Sequence, residues 1–178
     1  LYKIKGDLIF MMDVKIRKIR ENSILPEAHN GNWMDAYVSK IGTVSPDEGG
    51  RYNYDEVVWY DENKHDTIHY VKDDVVIVKL GFALQLPPNH ELHLLPRSST
   101  FKNTGLLLTN SMGIGDTSYC GDKDEYSCMF FATRAGEVSI GQRIVQIKIE
   151  ESMTGKFAFV EVEHLGNPDR GGYGSTGV

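Results

Sequence analysis

The chain is poor in cysteine: its 178 residues include only Cys120 and Cys128. Two cysteines without paired Cys or His ligands fit neither a disulfide framework nor a zinc site, so a reducing, cytoplasmic location is expected. Uncharged apolar runs are also short, far below the roughly 18 residues that a membrane-spanning helix needs. The sequence therefore predicts a globular protein with one hydrophobic core and no membrane contact.

Positive charge is scarce as well, because 19 Lys and Arg stand against 25 Asp and Glu and leave a net charge of −6. Affinity for nucleic-acid phosphates comes largely from clustered cations, so this balance argues against a nucleic-acid partner. Any phosphate chemistry must depend on a few local cations.

Short apolar runs separated by Gly, Pro, Asn and Asp dominate the chain, and none reads as a long amphipathic helix. This rhythm is typical of an all-β protein, a sandwich or jelly roll. The expected strands are 12–19, 35–41, 56–60, 67–71, 74–86 with a break near Gly81, 90–96, 105–109, 125–133, 142–150 and 157–163.

Three segments fall outside this pattern. Residues 1–11 carry no signal-peptide pattern and are expected to be an extension outside the core. Segment 45–68, called the insertion below, is rich in Asp, Glu, Gly and Tyr and is expected to be a surface hairpin within the 12–163 domain. Residues 164–178 are rich in small side chains and are expected to form a mobile arm.

Segment 96–100 carries the first chemical signal. Pro96 stops a strand ladder, and three hydroxyl residues with free backbone N–H groups follow it. Such a turn can cradle phosphate oxygens, with Ser98 and Ser99 as hydrogen-bond donors and Arg97 supplying charge or bracing a carboxylate. The same pattern also suits the N-cap of a helix that follows a strand.

Segment 105–121 carries the second signal, a buried strand that leads into a glycine-rich hairpin. Glycines let backbone N–H and C=O groups approach the edge of a flat nucleobase. Asp116, with an unperturbed pKa of about 3.9, stays charged at neutral pH and can act as a general base for water. The alternative is an ordinary aspartate in a turn.

Two further features follow in the same order. Arg143 and Gln146 enter a strand three residues apart, so they are expected on opposite faces, with Gln146 reaching a phosphate or metal-bound water and Arg143 bracing structure. Arg170 and Tyr173 then lie in the terminal arm, where they can close over a ligand. The alternative for the arm is a frayed terminus.

Taken in order, these features resemble the homotrimeric dUTPase family, in particular Gram-positive bacterial or phage members. The resemblance implies a distorted jelly roll, a homotrimer with a swapped C-terminal arm, and Mg²⁺-dependent hydrolysis of dUTP to dUMP and pyrophosphate, a step in dUMP biosynthesis. It implies that Asp116 is the catalytic base. It implies substrate contacts from Arg97, Ser98, Ser99, Asn110, Gly113, Tyr119, Gln146, Arg170, Tyr173, Gly174, Ser175 and Thr176.

The resemblance also assigns roles within that set. Tyr119 lies beneath the deoxyribose, and Tyr173 stacks on the base. No residue binds Mg²⁺ directly, because the substrate phosphates and waters hold it, while Asp35 and Gln146 approach it through water. The chain departs from the family pattern at Gly115, where relatives have a β-branched residue, and at Ser118, where they have a second acid.

Two alternatives remain open. A dCTP deaminase would share the fold but needs a catalytic glutamate at the position of Tyr126, and Glu125 lies one residue away, which turns a strand side chain to the other face. A dUTPase-fold regulatory protein would instead bind a partner through the insertion, with aromatic and amide anchors at Tyr52, Asn53, Tyr54, Trp59 and Tyr60.

Overall fold

The structure is a computed structural model that describes residues 2–4, 7–9, 12–169 and 171. Its strands are β1 (Tyr2–Ile4), β2 (Asp7–Ile9), β3 (Lys15–Lys18), β4 (Met34–Ala36), β5 (Lys40–Val44), β6 (Val58–Trp59), β7 (Thr67–Tyr70), β8 (Val75–Lys79), β9 (Phe82–Gln85), β10 (His90–Pro96), β11 (Leu106–Leu108), β12 (Gly113–Gly115), β13 (Ser127–Ala132), β14 (Gly136–Ser139) and β15 (Val145–Glu151). Helix α1 (Thr100–Thr104) and two short 3-10 turns (Tyr54–Glu56, Thr154–Lys156) complete it.

Two antiparallel sheets form the body of the protein. One has the strand order β12-β10-β15-β4 and the other β11-β13-β8-β5-β6, with three two-stranded ribbons beside them. Buried residues of both sheets, such as Leu92 and Ile147 from the first and Val76 and Phe130 from the second, belong to one apolar cluster. The packing of two sheets over a shared core confirms the all-β sandwich.

Strand β10 is central to the placement of the candidate site. Leu92 and Leu94 alternate with less buried neighbours and point into the core. On one side β10 pairs with β12, where Leu94 faces Gly113; on the other it pairs with β15, where Pro96 faces Val145. Because β10 joins both neighbours, it holds the glycine-rich hairpin and the 141–146 segment in one sheet.

The break near Gly81 is confirmed, and its cause is steric. The predicted strand 74–86 is divided into β8 and β9, and Gly81 between them has a φ of 77°, a left-handed backbone that glycine adopts without strain. A Cβ at Gly81 would lie 2.3 Å from the Ser23 hydroxyl oxygen. The bend and the close approach of Ser23 both require glycine.

The insertion is more than a surface hairpin. Its strand β6 pairs with β5, and its Tyr52 and Val57 pack on a second apolar cluster built from Val44, Val75 and Ile77 on the outer face of the five-stranded sheet. Glu62 forms ion pairs with Arg20 and Lys40 at 3.2 and 3.4 Å. Beyond the surface hairpin expected from the sequence, the insertion therefore covers part of one sheet face.

The predicted strand 157–163 is wrong for the chain as described. Residues 157–163 form no strand, and Phe159 and Val160 are 96 and 80% exposed. The alternation of apolar residues is real, but no strand among the described residues pairs with this segment. Conversely, β12 and β14 are not predicted, because β12 begins and ends with glycine and β14 begins with it, and glycine is a turn signal. Helix α1 is not predicted either, because its five residues are too few to show helical periodicity.

The two cysteines are free, and they differ in environment. Cys120 is exposed on the hairpin, whereas Cys128 is buried in β13, and burial raises the pKa of its thiol to about 12. Within the described residues, no helix combines the length and the apolar character required to cross a membrane.

Candidate active site

The glycine-rich hairpin forms the wall of a cavity of about 380 Å³. The pairing of β12 with β10 brings Gly113 against Leu94, where an added Cβ would approach the leucine side chain to 3.2 Å. Glycine therefore keeps this wall flat and its backbone accessible. Four predicted site residues line the cavity together: Asn110, Gly113, Asp116 and Tyr119.

Asp116 follows β12 at the edge of this cavity, and its carboxylate is exposed. Its Oδ1 accepts hydrogen bonds from the Ser118 backbone N–H at 2.7 Å and from the Ser118 hydroxyl at 2.6 Å. These bonds, chiefly the one from the hydroxyl, lower the pKa of Asp116. Ser118, expected only as a departure from the family pattern, thus holds the Asp116 carboxylate, and the Asp-x-Ser spacing of this turn is the signal for it.

Tyr119 lies three residues after Asp116, and its side chain is fixed by contacts with Glu125 and Tyr126. Its hydroxyl donates to the Glu125 carbonyl oxygen at 3.1 Å, and its ring meets the Tyr126 ring edge-on, with centroids 5.2 Å apart. Burial raises the pKa of Tyr119, so its hydroxyl stays protonated at neutral pH. The exposed part of the ring faces the cavity as a rigid apolar surface.

A second, polar cavity of about 280 Å³ lies where β4, β15 and the end of β10 meet. Asp35 of β4 is its anchor: Arg97 Nε lies 2.8 Å from Asp35 Oδ1, and Arg143 Nη1 lies 3.2 Å from Asp35 Oδ2. Arg97 thus braces a carboxylate, as one of the two sequence interpretations proposed. The cavity is lined by His29, Asn30, Trp33, Asp35, Arg97, Ser98, Arg143 and Gln146.

The expectation that Arg143 and Gln146 serve opposite faces is wrong. Strand β15 begins only at Val145, so Arg143 lies in the preceding turn and is free of strand alternation. Both side chains line the polar cavity, where the Gln146 amide donates to the Pro96 carbonyl oxygen at 3.1 Å. His29, Asn30 and Trp33 also line it, and no motif or spacing in the chain indicates them.

Ser99 is separated from this cavity. It is the residue before helix α1, so the helix-cap interpretation of 96–100 is correct, although its side chain makes no capping bond. It is not among the residues that line either cavity. The predicted contacts from the arm, at Arg170, Tyr173, Gly174, Ser175 and Thr176, lie outside the described residues.

Glu125, the acid considered for deamination, is already occupied. It is buried, forms a two-point ion pair with Arg20, and accepts a hydrogen bond from the Gly81 backbone N–H at 2.9 Å. Lys79 lies 3.7 Å away on the same carboxylate. A carboxylate held by two cations and an amide is a structural anchor, which disfavours the deaminase alternative.

In the described part of the chain, no cluster of three or more His, Cys, Asp or Glu side chains is arranged to hold a metal ion. Asp35 is neutralised by two guanidinium groups, so a direct metal contact there would have to displace an arginine. Both bonds from Ser118 end on Asp116 Oδ1, which leaves Oδ2 of this carboxylate without a bond to Ser118, and Gln146 lines the polar cavity.

Comparison with known proteins identifies a relative of the chain in a bacterial prophage. The chain is 44% identical over 120 residues to the SPbeta prophage-derived deoxyuridine 5'-triphosphate nucleotidohydrolase of Bacillus subtilis, which covers 67% of this chain and 84% of the relative. No protein-family model matches the chain.

Solved structures share the fold at low identity. Two structures of mutant Staphylococcus bacteriophage 80alpha dUTPase with dUpNHpp superpose with TM-scores of 0.63 and 0.62, at 14 and 15% identity, over 94% of this chain and all of theirs. One of these is described in connection with phage dUTPases that control transfer of virulence genes by a G protein-like mechanism. A mutant dUTPase from phage phi11 of S. aureus, with a structural Mg(II) ion, has a TM-score of 0.55 at 12% identity over 88% of this chain and 98% of that one.

The identity to the prophage relative extends over 84% of that enzyme's length, and the solved dUTPase structures share the fold of this chain. By sequence and by fold, the chain belongs to the deoxyuridine 5'-triphosphate nucleotidohydrolase family.

Proposed function

We propose that this protein hydrolyses dUTP to dUMP and pyrophosphate. The observation that carries the proposal is the exposed, charged Asp116 at the edge of a cavity whose wall is glycine backbone. A carboxylate with a lowered pKa is a weak but fully available base, and here it lies beside a surface suited to a flat ring.

The hairpin cavity supplies selectivity. Backbone groups of β12 and the side chain of Asn110 would bind the edge of uracil, and the close backbone leaves no room for the methyl group of thymine. Tyr119 would pack beneath the deoxyribose, where an added 2′-hydroxyl would clash with the ring. Steric exclusion by a rigid wall discriminates better than an added favourable contact.

The polar cavity is suited to the phosphates. Arg97 and Ser98 present a guanidinium and a hydroxyl on its lining, and Asp35 holds the guanidinium in place. Arg143 shares the same carboxylate and would remain a brace. Fixed cations and donors of this kind bind phosphate oxygens without reorganisation.

Magnesium fits this arrangement as an ion that arrives with the triphosphate. Hard cations prefer oxygen ligands and retain waters, so phosphate oxygens can bind the ion while Gln146 and Asp35 contact its waters. When bound, it would neutralise phosphate charge and fix the conformation of the chain of phosphates. The residues of this protein would then only have to orient the substrate and the attacking water.

Asp116 would act as the general base for the attack of water on the α-phosphorus. Its free oxygen would accept a proton from a water as that water's oxygen bonds to the α-phosphorus. The bond from the α-phosphorus to the bridging oxygen breaks, and pyrophosphate leaves. Positioning and electrostatic stabilisation account for most of the acceleration in such reactions.

We further infer that the complete site assembles from more than one copy of the chain. The two cavities share no lining residue, and the 157–165 segment exposes large apolar side chains, including Phe159 and Leu165 at 96 and 86%. Exposed alternating residues of this kind need a strand or groove that another copy can supply. A homotrimer with exchanged arms would unite the hairpin cavity of one copy with the polar cavity of another.

Pyrophosphate release from each deoxynucleoside triphosphate and from UTP, with and without magnesium, tests the activity. We expect pyrophosphate release from dUTP and from none of the other nucleotides, and only when magnesium is present. Release from dCTP accompanied by ammonia, or no release from dUTP, would refute the proposal.

Mixed oligomers test the shared site. An Asp116→Asn variant and an Arg97→Ala variant, each inactive alone, are co-expressed with different affinity tags and purified through both. If sites join residues of two copies, the mixed oligomer recovers activity well above either parent. Recovery absent from a stable mixed oligomer would assign the whole site to one copy.

A second function is supported by the insertion, which would bind a regulatory protein. Tyr54 and Val58 are 50 and 58% exposed on it, whereas Tyr52 and Tyr60 donate or share hydrogen bonds inward, to the Asp73 carbonyl oxygen and the Thr43 hydroxyl. Of the five anchors expected from the sequence, Asn53, Tyr54 and Trp59 are exposed, whereas Tyr52 and Tyr60 are partly buried. Val58 adds an exposed apolar side chain that the sequence analysis did not include.

A paired surface variant separates this function from hydrolysis. Tyr54→Ser with Val58→Thr should leave dUTP hydrolysis unchanged and abolish retention of a host-lysate protein identified by mass spectrometry. Equal retention by the variant and the native protein would remove the insertion from partner binding.

A further inference from the structure

Gly115 and Tyr126 occupy one space in the wall of the hairpin cavity. Gly115 is buried at the end of β12, directly before Asp116. A Cβ at Gly115 would lie 2.4 Å from Tyr126 Cε1 and 2.8 Å from its hydroxyl oxygen. The φ of Gly115 does not lie in the left-handed region, so the tyrosine ring, and not the backbone conformation, is what requires glycine here.

Tyr126 cannot easily yield that space. Its side chain is only 4% exposed, its ring centroid lies 5.7 Å from that of Phe82 in the core, and its backbone bonds to Phe82 and Leu80 on both sides. Closely packed rings of this kind do not shift without cost to their neighbours. The ring is therefore a fixed part of the cavity wall.

The ring of Tyr126 also supports Tyr119. The two rings meet edge-on at 5.2 Å with an interplanar angle of 72°, the geometry that aromatic pairs prefer. The hydroxyl of Tyr126 contributes little, since its contact with the Tyr119 carbonyl oxygen is 3.5 Å long. Burial raises the pKa of Tyr126 to about 12, so the hydroxyl carries no charge that would disturb Asp116.

We propose that Tyr126 is a positioning residue for substrate discrimination: its ring, seated in the space that Gly115 leaves open, sets the position of the Tyr119 ring against the sugar. The inference rests on the proposed hydrolysis of dUTP. It assigns to a residue of the following segment the task of backing the hairpin, which a side chain at position 115 would otherwise perform. The absence of a side chain at Gly115 and the presence of the Tyr126 ring therefore depend on each other, because both concern the same space.

The test is the ratio of kcat/KM for dUTP to that for UTP, which does not depend on the fraction of folded enzyme. Tyr126→Phe keeps the ring and should leave the ratio within about twofold of the native value. Tyr126→Leu removes the edge-on contact and should lower the ratio at least about tenfold, because Tyr119 can then move aside for a 2′-hydroxyl. An unchanged ratio in Tyr126→Leu overturns the proposal.

A double-mutant cycle tests the shared space. Gly115→Ala should lower the ratio at least about fivefold when Tyr126 is present, and change it by less than about twofold in the Tyr126→Leu background. Equal effects in both backgrounds would overturn the proposal. If the native protein does not hydrolyse dUTP, the proposed function fails first; a native enzyme with high selectivity and insensitive variants contradicts this inference alone.

Discussion

At the scale of single residues, the Asp116 carboxylate carries the most specific prediction. Asp116→Asn keeps the shape of the side chain and removes the base. We expect turnover to fall at least about a hundredfold while the affinity for dUpNHpp changes little, since phosphate binding depends on the other cavity. Single-turnover kinetics and calorimetric titration measure the two effects. Near-normal turnover would remove Asp116 from the chemistry.

Ser118 predicts a shift in the pH profile. Its hydroxyl and backbone N–H lower the pKa of Asp116, so the carboxylate stays charged to a pH below its ordinary range, and kcat/KM should fall only as the pH drops through that lowered value. Ser118→Ala removes the hydroxyl bond, which lowers the pKa of Asp116 more than the backbone bond does. The acid limb of kcat/KM should therefore move to higher pH.

Ser118→Thr is the matched control for this change, because it retains a hydroxyl at the same distance along the side chain. Its acid limb should coincide with that of the native enzyme. Coincident profiles for all three proteins would mean that the Ser118 hydroxyl does not set the charge of Asp116.

At the scale of elements, the buried ion pair between Arg20 and Glu125 ties the segment before β4 to the turn after the hairpin. Glu125→Ala leaves Arg20 with Glu62 as its ion-pair partner and with a long bond to the Ser39 hydroxyl, and it removes the acceptor of the Gly81 N–H. We expect the free energy of unfolding to fall by about 2 to 3 kcal/mol in urea titrations. Glu48→Ala, an exposed site on the insertion, should change it by less than about 0.5 kcal/mol. Equal losses in both would dismiss the ion pair as an anchor.

Strands were predictable where the chain itself provides their partners. Predicted 90–96 matches β10 and predicted 67–71 nearly matches β7, because turn residues bound both and buried positions alternate within them. Predicted 157–163 has a similar alternation but pairs with no strand in the part of the chain that the structure describes. An alternating apolar pattern thus indicates that a segment can form a strand, but whether it does so depends on a neighbouring strand with which it can pair.

The site was predictable to a similar degree. Motif order located Asp116, Asn110 and Tyr119, which the fold brings together. The division of the predicted residues between two cavities was not foreseeable, because sequence order does not reveal which surfaces of a sandwich face each other. The Gly115 and Tyr126 pair was equally hidden, since its members are eleven positions apart and share no motif.

At the scale of the whole molecule, the terminal arm predicts a separation of folding from catalysis. Deletion of 168–178 removes no core residue among those that the structure describes, because 168, 169 and 171 are all exposed. We expect the free energy of unfolding to change by less than about 0.5 kcal/mol and dUTP hydrolysis to be lost. Urea titration and pyrophosphate release measure these two results. A truncated protein that keeps full activity would exclude the arm from the site.

The contrast between the two thiols offers a way to watch the molecule at work. Cys120 is accessible and immediately follows Tyr119, whereas the burial that raises the pKa of Cys128 keeps that sulfur unreactive. A maleimide fluorophore would therefore attach at Cys120, next to Tyr119 of the hairpin cavity, without any engineered cysteine. A change in its emission on addition of nucleotide would report whether the arm closes over the bound nucleotide, and the decay of that change would give the rate at which the arm opens again.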